Sequence, residues 1–111
     1  MSVRLYTEDA AGLLDAIKGS IDEGHIETWD YDEDGDFTHT PDQWFETAWL
    51  RPSLEDDSLL LNILPPKGVN ISSEVYAVYH GRFIEMAIEH FEDWIGDAVA
   101  TAAVDDGDVV A

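Results

Sequence analysis

The sequence predicts an α+β fold: an antiparallel sheet of about four strands, built from two hairpins, with an N-terminal helix and a long C-terminal helix packed on one face. Apolar residues recur at helical spacing near both ends of the chain. Between residues 25 and 64 they alternate, or run in short β-rich stretches broken by acidic turns. Sequential hairpins favour an antiparallel sheet, whose one buried face two amphipathic helices can cover. The 111 residues are the usual size of one domain, and a composition 45% hydrophobic and 11% aromatic supplies enough apolar surface to fold despite the charge. A single domain over residues 1–100 is expected, followed by an acidic tail over 101–111 that frays.

The first helix is expected from Glu8 to about Glu23, with room for a short strand at "VRLY" ahead of it. Thr7 is placed to cap it, and carboxylates at Glu8 and Asp9 oppose the positive end of the helix dipole. Ala10, Leu13, Leu14, Ile17 and Ile21 form the apolar stripe, and Gly24 sits where a left-handed residue closes a helix.

From His25 the period changes. "HIETWDY" and "DFTHT" flank "EDG", which reads as a three-residue hairpin loop with Gly35 left-handed. That register pairs Asp32 with Asp36, Tyr31 with Phe37, Asp30 with Thr38 and Trp29 with His39. Trp29, Tyr31, Phe37 and His39 then share one face. A second hairpin joins "TAWLRPSL" to "SLLLNIL" through "EDD", with Pro52 requiring an edge or a bulge because it lacks an amide hydrogen. Ser72 or Ser73 caps the final helix, in which Tyr76, Tyr79, Phe83, Ala87, Phe91 and Trp94 keep helical spacing, broadened by Val75, Val78, Met86, Ile88 and Ile95. An apolar arc this wide exceeds what a four-stranded sheet covers, so a homodimer is expected from it. Gly81 inside this helix costs about 1 kcal/mol relative to Ala and implies close packing against another backbone.

Charge dominates the composition. Twenty-five Asp plus Glu stand against five Lys plus Arg, for a formal net charge of −20. A duplex is bound by neutralising its phosphates with Lys and Arg, so direct nucleic-acid binding is not expected, nor is an anionic membrane surface. No window approaches the roughly 20 apolar residues of a membrane span, and a cytoplasmic protein is expected. Asp is more frequent than Glu, Lys occurs only at positions 18 and 67, and carboxylates occur along the whole chain. This is the composition of a salt-adapted proteome, where close-set carboxylates hold water and ions and screening removes most of their repulsion. The leading expectation is a non-catalytic protein-interaction module from a salt-adapted microbe. The alternatives are a DNA mimic or inhibitor of a basic protein, and a binder of a small anion or of calcium.

Candidate chemistry follows from three groups of residues. "DYDEDGDFTHTP" offers Asp30, Asp32, Asp34 and Asp36 around Gly35 in the spacing of a calcium loop. Position 12 of that loop, which needs a bidentate Glu, is Pro41, and no helix enters before Asp30, so a hairpin turn explains the stretch better than a metal. The scarce cations are informative in so acidic a chain. Arg82 is spaced to pair with Glu85 or Glu89. Arg51 and Arg82, with His39, Trp49, Tyr79 and His80, are the candidate ligand-binding residues of a cleft between the last helix and the sheet, suited to a small anion. The four histidines lack the spacing of a helical zinc pair. Cysteine is absent, and no serine stands in a nucleophile elbow, so neither thiol chemistry nor a catalytic serine is expected.

Overall fold

The computed structural model describes residues 2–102. It is an α+β fold in which every strand pair is antiparallel: β1 (Ser2–Tyr6), α1 (Ala10–Asp22), β2 (Trp29–Tyr31), β3 (Phe37–His39), β4 (Trp49–Leu54), β5 (Ser58–Leu64), α2 (Ser73–Phe91), a 3₁₀ turn (Glu92–Trp94) and β6 (Ala98–Ala100). The strands form one sheet in the order β2-β3-β4-β5-β1-β6. It therefore has six strands, not four, and a strand precedes the first helix. β1 lies against β5 along its full length and accepts β6 on its other side. β6 is only three residues of "AVA", too short to show an alternation of its own. Beyond Ala102 the expected acidic tail lies outside the described residues.

Both helices begin on a side-chain cap. Asp9, not Thr7, caps α1: its Oδ1 accepts from the Gly12 amide at 2.9 Å, while Thr7 Oγ1 accepts from the Asp9 amide. Gly24 closes the helix at φ +80°, as its position predicts. Ser72 caps α2 by accepting from the Val75 amide at 3.2 Å. α2 stops at Phe91, short of the Trp94 and Ile95 that the periodicity includes, because the chain turns back to pair β6 with β1. There the Gly96 amide donates to Tyr6 and the Tyr6 amide to Asp97.

Tyr76, Tyr79, Phe83, Met86, Ala87 and Phe91 of α2 are buried, and Ile88 is its exposed large apolar residue. Six strands accommodate the wide arc that four would not, which removes the sequence argument for a dimer through this helix. Gly81 is also corrected: it is exposed, and a Cβ built on it meets nothing within 4 Å, so it marks no close packing.

The first hairpin has the register its alternation demands, Trp29 opposite His39, Asp30 opposite Thr38 and Tyr31 opposite Phe37. Gly35 has φ +83°, a conformation costing little only for glycine. The second hairpin pairs β4 with β5 from Trp49↔Leu64 to Leu54↔Leu59. Pro52 sits in an interior strand, contrary to the edge expected for it. It is tolerated because β3 is short: the β3–β4 pairing is Phe37↔Leu50, so β3 does not extend alongside Pro52.

Strand alternation separates two faces. One buries Val3, Leu5, Leu50, Leu59, Leu61 and Ile63 beneath the helices, together with Leu13 and Ile17 of α1 and Phe83 of α2. Each such side chain contributes roughly 1.5–3 kcal/mol by leaving water. The other face holds Trp49, Arg51 and Ser53 of β4, Ser58, Leu60, Asn62 and Leu64 of β5, Ser2, Arg4 and Tyr6 of β1, and Val99 of β6. No helix covers it. The two-layer molecule measures 36 × 29 × 22 Å. Among the described residues no helix is long and apolar enough to cross a membrane.

Candidate functional site

The tip of the first hairpin brings acids together, and the chain supplies their counter-charge. Asp32, Asp34 and Asp36 each place a carboxylate oxygen within 4.8 Å of the other two. Asp30 is outside this group: it is exposed, and its Oδ1 accepts from the Tyr31 amide at 2.8 Å. Asp32 Oδ1 accepts from the amides of Asp34 and Asp36, both at 3.0 Å, which ties the loop. Asp36 is buried, and both its oxygens are taken by one guanidinium, Arg51 Nε at 3.0 Å and Nη2 at 2.8 Å. These hydrogen bonds raise the Arg51 pKa above its ordinary value. Partial burial works against them, and the charges of Asp36, Asp34 and Asp32 add to them. Lys18 reaches the same tip from α1. Its Nζ lies 3.0 Å from where a Cβ on Gly35 would stand and 5.3 Å from the centre of the Tyr31 ring. Two of the five cationic side chains thus serve one hairpin. A cation at this acid group would share the Asp36 oxygens with Arg51 or compete with it for them.

A second cluster is built where β3 meets α2. The Tyr79 hydroxyl donates to the Trp44 carbonyl and lies 3.1 Å from Thr38 Oγ1, while the His39 amide donates to it at 3.4 Å. Thr38 Oγ1 also accepts from the Glu46 amide at 3.0 Å, holding Glu46 at φ +57°. Tyr79 therefore fastens the β3–β4 connection to the core. The His39 ring stacks on Trp29 at 4.6 Å and meets Tyr79 at 6.2 Å. Its Nδ1 lies 2.7 Å from the Thr28 carbonyl, which makes Nδ1 the protonated nitrogen. Burial lowers the His39 pKa. The Thr28 carbonyl opposes that shift, Arg82 reinforces it, and Glu85 pulls the other way.

These placements divide the six candidate ligand-binding residues. His39, Tyr79 and Arg82 lie in one region, where Arg82 pairs with Glu85 at 3.3 Å as its spacing predicts. His80 is buried with its Nδ1 against the Tyr76 carbonyl one turn back. Trp49 and Arg51 lie on the other face of the sheet, away from the helices. One cleft holding all six does not form. Within the first group, the tyrosine hydroxyl and the histidine Nδ1 are hydrogen-bonded to backbone groups of the protein, and the guanidinium forms an exposed pair with Glu85.

Three features carry no local sequence signal. The first is Lys18 on the hairpin tip, brought there from α1. The second is a cleft of about 980 Å³ at one end of the sheet, lined by Tyr6, Thr7, Glu8, Asp9, Asp56, Asp57, Asp93, Trp94, Ile95 and Gly96. Its walls repel anions, the reverse of the anion site expected between α2 and the sheet. The third is the composition of the sheet face turned away from the helices. Every described carboxylate except that of Asp36 belongs to an exposed residue, and these acids occupy the helices, the loops and β2. The outward positions of β4, β5, β1 and β6 hold no acid, yet they hold Arg4 and Arg51. Strand pairing sets Ser53, Leu60, Arg4 and Val99 side by side in one row across the four strands.

Comparison with protein-family models, with curated proteins and with solved structures returns no match to this chain.

Proposed function

We propose that this chain is a non-catalytic protein-interaction module of a salt-adapted microbe, carrying a general acidic coat and one face kept clear of it. The supporting observation is the placement of the carboxylates. They stand on the outer sides of both helices and on the loops at both ends of the sheet, and are missing from the outward positions of four adjacent strands. A DNA mimic needs phosphate-like rows of carboxylates, whereas these are scattered over both helices, β2 and the loops at both ends of the sheet. Solvation alone does not account for these outward positions, since Val99 stays 45% exposed there opposite Arg4.

Salt adaptation is tested by urea unfolding, followed by circular dichroism, across KCl from tens of millimolar to several molar. Net charge −20 on 12.4 kDa opposes compaction when the screening length is about 10 Å, and that opposition fades as the length falls to about 3 Å near 1 M. Stability rises steeply with KCl on this reading. Equal midpoints at low and high salt sink it.

A further inference from the structure

We propose that the acidic cleft at one end of the sheet binds an organic ammonium ion, a site that stands independently of the interaction-module reading. Four segments meet in it: the end of β1, the start of α1, the turn between β4 and β5, and the chain joining α2 to β6. Backbone hydrogen bonds tie them together. The Thr7 amide donates to the Asp57 carbonyl at 3.0 Å, the Gly96 amide to the Tyr6 carbonyl at 2.9 Å and the Tyr6 amide to the Asp97 carbonyl at 2.9 Å. The hollow of about 980 Å³ has the volume of a large small-molecule pocket, and its frame is fixed before a ligand arrives.

Its walls carry the carboxylates of Glu8, Asp9, Asp56, Asp57 and Asp93 and no cationic side chain. Among the described residues none of these five acids forms an ion pair. Asp9 and Asp57 each accept one hydrogen bond from the protein, from the Gly12 amide and the Ser58 hydroxyl. The cleft therefore attracts cations. Acids alone would not set it apart from the rest of the coat; the aromatic side chains do. Tyr6 and Trp94 stay 37% and 42% exposed, and Phe45 is the other large aromatic left exposed among the described residues. Two of these three line the one cleft. A coat that holds water and hydrated potassium has no use for aromatic surface, whereas an alkylammonium ion has. Its charge is drawn to the carboxylates and to the negative faces of the rings, and its carbon surface leaves water against them. A free quaternary ammonium solute and the lysine side chain of a partner protein share this chemistry.

The test is heteronuclear NMR of the full chain in about 2 M KCl, where the screening length is below about 3 Å and long-range attraction to the net charge is suppressed. Tetramethylammonium chloride is the probe. NaCl at equal concentration controls for charge alone, and tert-butanol, of similar shape without charge, controls for apolar contact alone. The expected result is a saturable shift of the Gly96 amide and the Trp94 indole N–H with tetramethylammonium, none with either control, and none at the buried Trp29 indole. Trp94→Ala and Tyr6→Leu, each checked for native circular dichroism, weaken binding at the Gly96 amide by about threefold or more. Phe45→Ala leaves it unchanged. A peptide with one lysine among uncharged residues then identifies the source: binding about tenfold tighter than the free ion assigns the ammonium to a partner's lysine, and binding no tighter assigns it to a free solute. Lack of saturation overturns the proposal. So does an equal response to NaCl or tert-butanol, or an affinity unchanged in the aromatic variants, which leaves an adventitious ion only.

Discussion

Asp36 and Arg51 show how this chain uses a scarce cation. With 95% of its side chain out of water, the Asp36 carboxylate needs both guanidinium hydrogen bonds, while Arg51 keeps 53% of its own side chain in solvent. Arg51→Ala leaves a buried carboxylate without its partner, and the half-exposed position lets water replace part of the loss. Destabilisation of about 1–3 kcal/mol is expected. In a urea double-mutant cycle with Asp36→Asn, the pair should show coupling, and strictly additive effects would contradict the assignment. His39 makes a pH prediction. Burial holds its folded pKa below the ordinary 6.5, so as pH falls from about 7.5 to 5.5 the unfolded chain takes up the proton first and stability declines. The slope should diminish in His39→Gln, which keeps a donor for the Thr28 carbonyl. An unchanged slope would assign the proton to another group. Neither contact was legible as a pair. The sequence singled out Arg51 by its rarity and Asp36 by its cluster, but their meeting depends on β3 lying beside β4.

At the scale of the element, α2 holds a removable weakness. Gly81 is exposed, has an ordinary helical backbone and has empty space where a Cβ would go. Gly81→Ala should raise stability by up to about 1 kcal/mol by restricting the unfolded chain and favouring the helix. A lower urea midpoint for the variant would mean that the glycine has a contact role after all. Legibility at this scale followed range. The β2–β3 register, the Gly35 turn, the β4–β5 hairpin and the Ser72 cap are local, and each was readable from residues within a few positions of one another. The end of α2 was not. Its periodic apolar pattern continues into Trp94 and Ile95, and only pairing with β1, more than ninety residues back, turns the chain away at Phe91. Pro52 misled for a related reason, since its fit depends on how far β3 extends beside it.

At the scale of the molecule, the acidic coat predicts that folding responds to KCl, because repulsion within one chain is screened. The composition announced the coat; the cleared face emerges only when β4, β5, β1 and β6 are laid side by side, since no stretch of sequence contains it. That strand order also bears on how the chain is made. Among the described strands β1 is synthesised before the others, yet its neighbours in the sheet are β5 and β6, made after β2, β3 and β4. Val3 and Leu5, fully buried at the end, stay without their sheet partners while the two hairpin turns are synthesised. During that interval the growing chain is an unpaired apolar strand followed by acid-rich sequence, and its charge keeps such intermediates apart. On the salt-adaptation proposal, the carboxylates that oppose compaction at low salt would also keep such half-made chains from aggregating.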